Sequence, residues 1–135
     1  MIQKKRQLDL LVGALEGGSN YWYMLEDTSM VIKKGTAPKT PELIEECKTM
    51  GKDFADCLVN RIWETVQSGV SVPVFDVEEE GEKLGEISKE SIEKANELMI
   101  KDYSQAYADV MNENDDANTA DIWFQLAVMG EVIFG

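Results

Sequence analysis

The sequence has no histidine, and that one absence removes much chemistry. No Ser-His-Asp or Cys-His relay can be built, and no imidazole is on hand to hold a metal. Cysteine is nearly as scarce. Cys47 and Cys57 stand ten residues apart, which fits neither a zinc ribbon nor a CxxC redox motif. Long apolar runs are missing too. None approaches the roughly 20 residues that a membrane span needs, and Met1-Ile2-Gln3-Lys4-Lys5-Arg6 leads into no signal-peptide core. A soluble, intracellular protein is expected. Basic residues are half as numerous as acidic ones, 13 against 26, for a formal net charge of −13. Such acidity opposes direct binding of nucleic acid, which depends on Lys and Arg neutralising phosphates.

What is present suffices for one core. The chain has 135 residues, 44% of them hydrophobic, too many for a disordered acidic tail. With no internal repeat and no long linker, residues 1–135 are read as a single domain. The charge is uneven. Residues 1–61 hold nine basic and nine acidic residues, whereas residues 62–135 hold four basic and seventeen acidic. The whole imbalance lies in the C-terminal half. It is either a solubilising face or a surface that attracts a basic partner or imitates a nucleic-acid backbone.

The periodicity predicts an α+β fold. Leu8, Leu11, Val12 and Leu15 have helical spacing over residues 3–16, with Gly17-Gly18 expected to stop the helix in a left-handed C-cap. Tyr21 to Leu25 is a dense apolar run, too short to assign as strand or helix. Residues 33–40 read as a loop. A long central helix is expected from Thr40, an N-cap followed by Pro41, through Leu43, Cys47, Met50, Phe54, Leu58, Ile62 and Val66 to Gly69. It would be roughly 40 Å long at 1.5 Å per residue. Residues 70–87 alternate and predict an antiparallel hairpin turning at 78–82, with Pro73 marking an edge or an irregular strand. Ser88 caps a helix whose stripe runs Ile92, Ala95, Met99, Tyr103, Ala106 and Val110. A polar break at 112–119 precedes a last helix of about 119–130, which Gly130 interrupts before Val132-Ile133-Phe134.

Four stretches are candidate sites. Gly17, Gly18, Ser19, Asn20, Tyr21 and Trp22 combine close-approach glycines, hydrogen-bonding groups and aromatics, as a nucleotide pocket would. The same pattern suits a helix stop followed by core aromatics. It is neither a Walker loop nor GxGxxG. Residues 112–118 are rich in acids and amides. Counted as an EF-hand they put Ala117 where Gly is needed and Trp123 where Glu is needed, so a capped interhelical loop is the better reading. Asp76, Glu78, Glu79 and Glu80 crowd the hairpin turn. They suit a solvated turn, a partner surface, or Mg²⁺ and acid–base work. The tail from Trp123 through Gly135, apolar up to Phe134, either closes the core or forms an oligomer interface.

Three stretches carry a wider likeness. They are Leu15 to Trp22, Phe75-Asp76-Val77-Glu78 through Leu84-Gly85, and Asp116-Ala117-Asn118-Thr119-Ala120-Asp121 through Gln125 and Gly130 to Gly135. Together the pattern resembles small proteins encoded by bacteriophages and prophages. The resemblance implies a viral or mobile-element origin and a host bacterial cytoplasm, and it supplies no catalytic residue. The resulting expectation is a non-enzymatic binding protein without cofactor. It would counter a host defence system by binding an effector protein or by sequestering its nucleotide signal. Gly17 to Trp22 would be the ligand site, and Glu78, Glu79, Glu80, Trp123 and Phe134 the partner contacts, with a homo-oligomer built on the tail. The competing expectations are a structural phage protein acting through its oligomer and a Mg²⁺-dependent enzyme using the acidic blocks.

Overall fold

A computed structural model describes residues 2–25, 45, 49, 54–79 and 82–135. Among them the chain forms five helices and a three-stranded antiparallel sheet, an α+β fold. In chain order these are α1 (Lys4–Gly13), β1 (Tyr23–Leu25), α2 (Phe54–Gln67), β2 (Val72–Asp76), β3 (Lys83–Ile87), α3 (Lys89–Asp102), α4 (Ser104–Met111) and α5 (Ala117–Met129). No helix among the described residues is long and apolar enough to cross a membrane.

The expected hairpin is there as β2 and β3, and Tyr23–Leu25 resolves as a strand. The sheet order is β1-β2-β3, with Tyr23 opposite Asp76 and Val72 opposite Ile87. Pro73 therefore sits in the middle strand. The described β1–β2 pairing covers only Val74 to Asp76, so Pro73 lies one residue beyond it, where a missing N–H breaks no rung of that ladder. A bulge shifts the β2–β3 register between Val74 and Phe75, because Gly85 and Lys83 are their partners and Leu84 is skipped.

The helices start and stop largely as their cap residues dictate. Ser88 accepts from the Ser91 amide while the Ser91 hydroxyl accepts from the Ser88 amide, closing a capping box at α3. Asp116 and Thr119 do the same at α5, and Gly130 ends that helix in the left-handed conformation (φ 78°). Two expectations change. The helix starting at Lys4 is not halted at Gly17 by a left-handed residue. It widens into a π turn over Ala14–Gly18, which the Ser19 amide closes by donating to the Ala14 carbonyl. The stripe from Ile92 to Val110 belongs to two helices, not one, because the backbone breaks at Tyr103 (φ −131°, ψ 54°).

The expected long helix from Thr40 is described in part. Glu45 and Thr49 are helical, with the Thr49 hydroxyl donating to the Glu45 carbonyl, and α2 covers Phe54–Gln67. Its Thr40 cap and the 33–40 loop lie outside the described residues.

The most enclosed element is α5. Thr119, Ala120, Asp121 and every residue from Trp123 to Val128 are buried. It packs against α1, the π turn, α3, α4 and β3. Trp123, Phe124 and Leu126 meet Leu10, Leu11, Trp22, Ile87 and Met99 in one core. Each large side chain so buried contributes about 1.5–3 kcal/mol relative to exposure. Such close packing is possible because glycine stands at two crossings. A Cβ on Gly18 would overlap the Ala117 carbonyl, and one on Gly85 would overlap the Val128 carbonyl. Arg6 completes the frame by pairing with Asp9 and Asp115, which ties α1 to the loop ahead of α5.

Candidate interaction surface

The site begins with a carboxylate inside the core. Asp121 lies on the second turn of α5 and is only 5% exposed. A buried charge is costly unless its oxygens are satisfied. Here Oδ1 accepts from the Ser19 hydroxyl at 2.7 Å and from the Trp22 indole N–H at 2.7 Å. Oδ2 accepts from the Tyr21 hydroxyl at 2.6 Å and from the Gln125 amide at 3.1 Å. All three residues of the 19–22 turn with a polar side chain on this side thus converge on one helix position. The turn itself is held by the Trp22 and Tyr23 amides, which donate to the Ser19 carbonyl.

Gln125, one helical turn further on, carries the network to the C-terminus. Its Oε1 accepts from the amides of Ile133 and Phe134, both at 2.9 Å, and its Nε2 donates to the Phe134 carbonyl at 2.9 Å. The tail is therefore fastened by a side-chain amide acting as a stand-in for a neighbouring strand. Phe134 then stacks on Trp22, with ring centroids 5.4 Å apart and planes inclined by 15°. Phe124 closes the aromatic group at 5.4 Å from both Trp22 and Tyr23.

This environment shifts the tyrosines. Burial, reinforced by the hydrogen bond to Asp121 and its negative charge, pushes Tyr21 up to about 12. Burial raises Tyr23 as well, assisted by the charge of Glu16, and its hydroxyl donates to the Leu15 carbonyl at 2.7 Å. Both phenols are fixed as donors across the physiological range.

The expected ligand pocket along Gly17 to Trp22 is not what the fold builds. Trp22 and Ser19 are core residues, Gly18 is pressed on the α5 N-terminus, and the polar atoms a nucleotide would need are taken up by Asp121. Gly17, Asn20 and half of Tyr21 remain at the surface. Trp123 is also corrected as a partner contact. It is fully buried and its indole N–H donates to the Asn96 side chain at 2.8 Å. Phe134 is partly buried on Trp22, so the tail packs in part against the core, while Ile133 stays exposed.

The turn after β2 is ordered by Asp76, whose Oδ1 accepts from the amides of Glu78 (2.7 Å) and Glu79 (3.1 Å). Glu78 and Glu79 are exposed, and Glu80 lies outside the described residues. The Glu82 carboxyl is held above its ordinary value by a hydrogen bond with Glu79 and by the charges of Glu79 and Asp76. Lys83, the hairpin's basic residue, is turned towards Glu86. Among the described residues no three Cys, Asp or Glu side chains converge as metal ligands.

Three apolar or aromatic residues bonded to this network reach the surface. Tyr21 is 50% exposed, Val77 40% and Ile133 55%. The Val77 amide donates to the Trp22 carbonyl, and the Tyr21 hydroxyl and Ile133 amide both meet the Gln125 side chain. Three residues far apart in sequence are thus tied to one hydrogen-bonded network around Trp22 and Gln125. A cleft of about 390 Å³ lies elsewhere, between the α3–α4 corner and α5, with Asp102, Tyr103, Gln105, Asp109, Asn118 and Ile122 among its walls.

The comparisons with known proteins add no relative: no family model, no curated protein and no solved structure matches the chain. The 19–22 turn and the tail join at Asp121 and Gln125, the Val77 amide meets the Trp22 carbonyl, and Gly85 lies against Val128.

The sequence does not single out Asp121, Gln125 or Val77 as site residues, whereas Ile133 lies in the candidate tail. A usable signal was present for two of them. Asp121 and Gln125 are the polar pair one helical turn apart in an otherwise apolar stretch, the pattern of a buried hydrogen-bonding hub.

Proposed function

We propose that this is a non-enzymatic binding protein that engages a basic surface of a host protein through its acidic C-terminal half. The observation that carries the reading is the uncompensated charge. Seventeen acidic residues face four basic ones after residue 61, and Glu78, Glu79, Glu82, Glu90, Glu93 and Glu97 all stand exposed. Exposed charge of one sign steers a partner of the other and sets specificity more than raw affinity. Of the two ways to counter a host defence, holding an effector protein is favoured over sequestering a nucleotide, because the polar atoms of Ser19 and Trp22 are already committed to Asp121. The phage-like resemblance supports the setting, a bacterial host.

The test is the salt dependence of binding to a basic probe, a fluorescent Lys-rich peptide. Association is expected to slow as ionic strength rises, because exposed charges are screened beyond about 8 Å at physiological salt. Equal affinity at low and high salt would show the acidic half to be only a solubilising face.

A further inference from the structure

We infer that Tyr21, Val77 and Ile133 form a docking surface for an apolar segment flanked by lysine or arginine on the partner protein. The inference rests on the reading just proposed and adds to it a place and an anchor. Of the six large apolar side chains that stand most exposed among the described residues, Tyr21, Val70, Val77, Ile100, Met111 and Ile133, three belong to residues bonded to Gln125 or to the Trp22 carbonyl. Hydrogen bonds bring their backbones close: the Val77 amide donates to the carbonyl of Trp22, next to Tyr21, and the Tyr21 hydroxyl and Ile133 amide meet the two ends of the Gln125 side chain.

The base beneath them is buried and fully hydrogen-bonded. Asp121 and Gln125 are buried and satisfied, and Trp22 and Phe134 stack below. A patch held this way loses little conformational freedom on binding, which is what makes a small contact worthwhile. Its rim is acidic. Glu78 and Glu79 adjoin Val77 in the turn, and Glu131 stands exposed two residues before Ile133. An apolar centre inside a charged rim is the anatomy of a protein contact. The rim also selects the occupant. A second copy of this chain would bring two such acidic rims together, whereas Lys or Arg flanking an apolar anchor would neutralise them.

The experiment uses the full chain labelled with ¹⁵N and three synthetic nonapeptides. One has a central Leu-Phe pair flanked by lysines, one replaces Leu-Phe by Ser-Ser, and one replaces the lysines by glutamates. Amide shifts on adding the first peptide are expected to centre on Tyr21, Val77, Glu78, Glu79 and Ile133, and the other two peptides are expected to bind more weakly. Ile133→Asp and, independently, Val77→Asp should each weaken the first peptide by about fivefold or more, the loss usual for an anchoring contact. Both positions are exposed, and unchanged circular dichroism would verify folding.

Shifts spread over the exposed carboxylates of α3, or full affinity in both variants, would overturn the docking surface while leaving the acidic-half reading intact. No binding of any lysine peptide at low salt would overturn both. A concentration-dependent dimer that Ile133→Asp dissolves would assign the patch to a second copy and overturn the inference.

Discussion

The ring of Phe134 lies almost parallel to that of Trp22, centroids 5.4 Å apart, so the second-last residue of the chain covers an aromatic from the first turn region. Removing that ring is expected to cost about 2 kcal/mol, part of the penalty of a fully buried Phe→Ala change because Phe134 is only partly enclosed. Phe134→Ala should lower the urea midpoint and shift tryptophan emission to the red as Trp22 meets water.

Asp121 should be less replaceable than any surface acid. Asp121→Asn puts an NH₂ group opposite donors, and Asp121→Ala leaves the Ser19, Trp22 and Gln125 groups buried without an acceptor. We expect a loss of about 2–4 kcal/mol for either, measured by chemical denaturation. Glu90→Gln, on the exposed side of α3, is the control and should change stability by less than about 0.5 kcal/mol.

Gly85→Ala tests the crossing of β3 over α5. The added methyl meets the Val128 carbonyl, a backbone atom that cannot swing away. A cost of at least about 2 kcal/mol is expected, as for other overpacked sites. Gly17→Ala, whose Cβ would meet nothing within 4 Å, should be tolerated.

Alkaline stability should bend where the tyrosines titrate. Tyr21 ionises at 10.0 in the open chain and at about 12 in the fold, so the folded state holds its proton more tightly. The stabilisation it gives is complete below pH 10.0 and disappears as pH rises through about 12. Tyr23 acts in the same direction. Thermal melts between those values should fall steadily, and Tyr21→Phe should flatten the part due to Tyr21.

No release of phosphate from nucleotides is expected, with or without added Mg²⁺. A malachite-green assay at high protein concentration measures this directly. Turnover that vanishes in Asp76→Asn would move the protein into the enzyme class and sink the binding reading.

Much of the secondary structure could be read from local chemistry, because caps and turns act over three or four residues. Ser88, Asp116 with Thr119, Gly130 and the alternation of Val72 and Val74 each did in the fold what their residue types prescribe. Where tertiary packing competes with local preference, the reading diverges. Gly17-Gly18 look like a helix stop, but α5 draws Gly18 against the Ala117 carbonyl and the helix widens into a π turn. Tyr21 to Leu25 is too short to choose its own state, and pairing with β2 makes Tyr23–Leu25 a strand.

The network around Asp121 belongs wholly to that second kind of information. Composition by itself determined the acidity, the missing histidine chemistry and the polarity of the C-terminal half. It marked Asp121 as one more acid in an acidic block. Only the fold put that carboxylate inside the core, within reach of Ser19, Tyr21 and Trp22 about a hundred residues away, and so turned a charge into an anchor. The physical reason is that a buried polar group is defined by its partners. Here those partners are set by long-range packing around α5 and not by spacing along the chain.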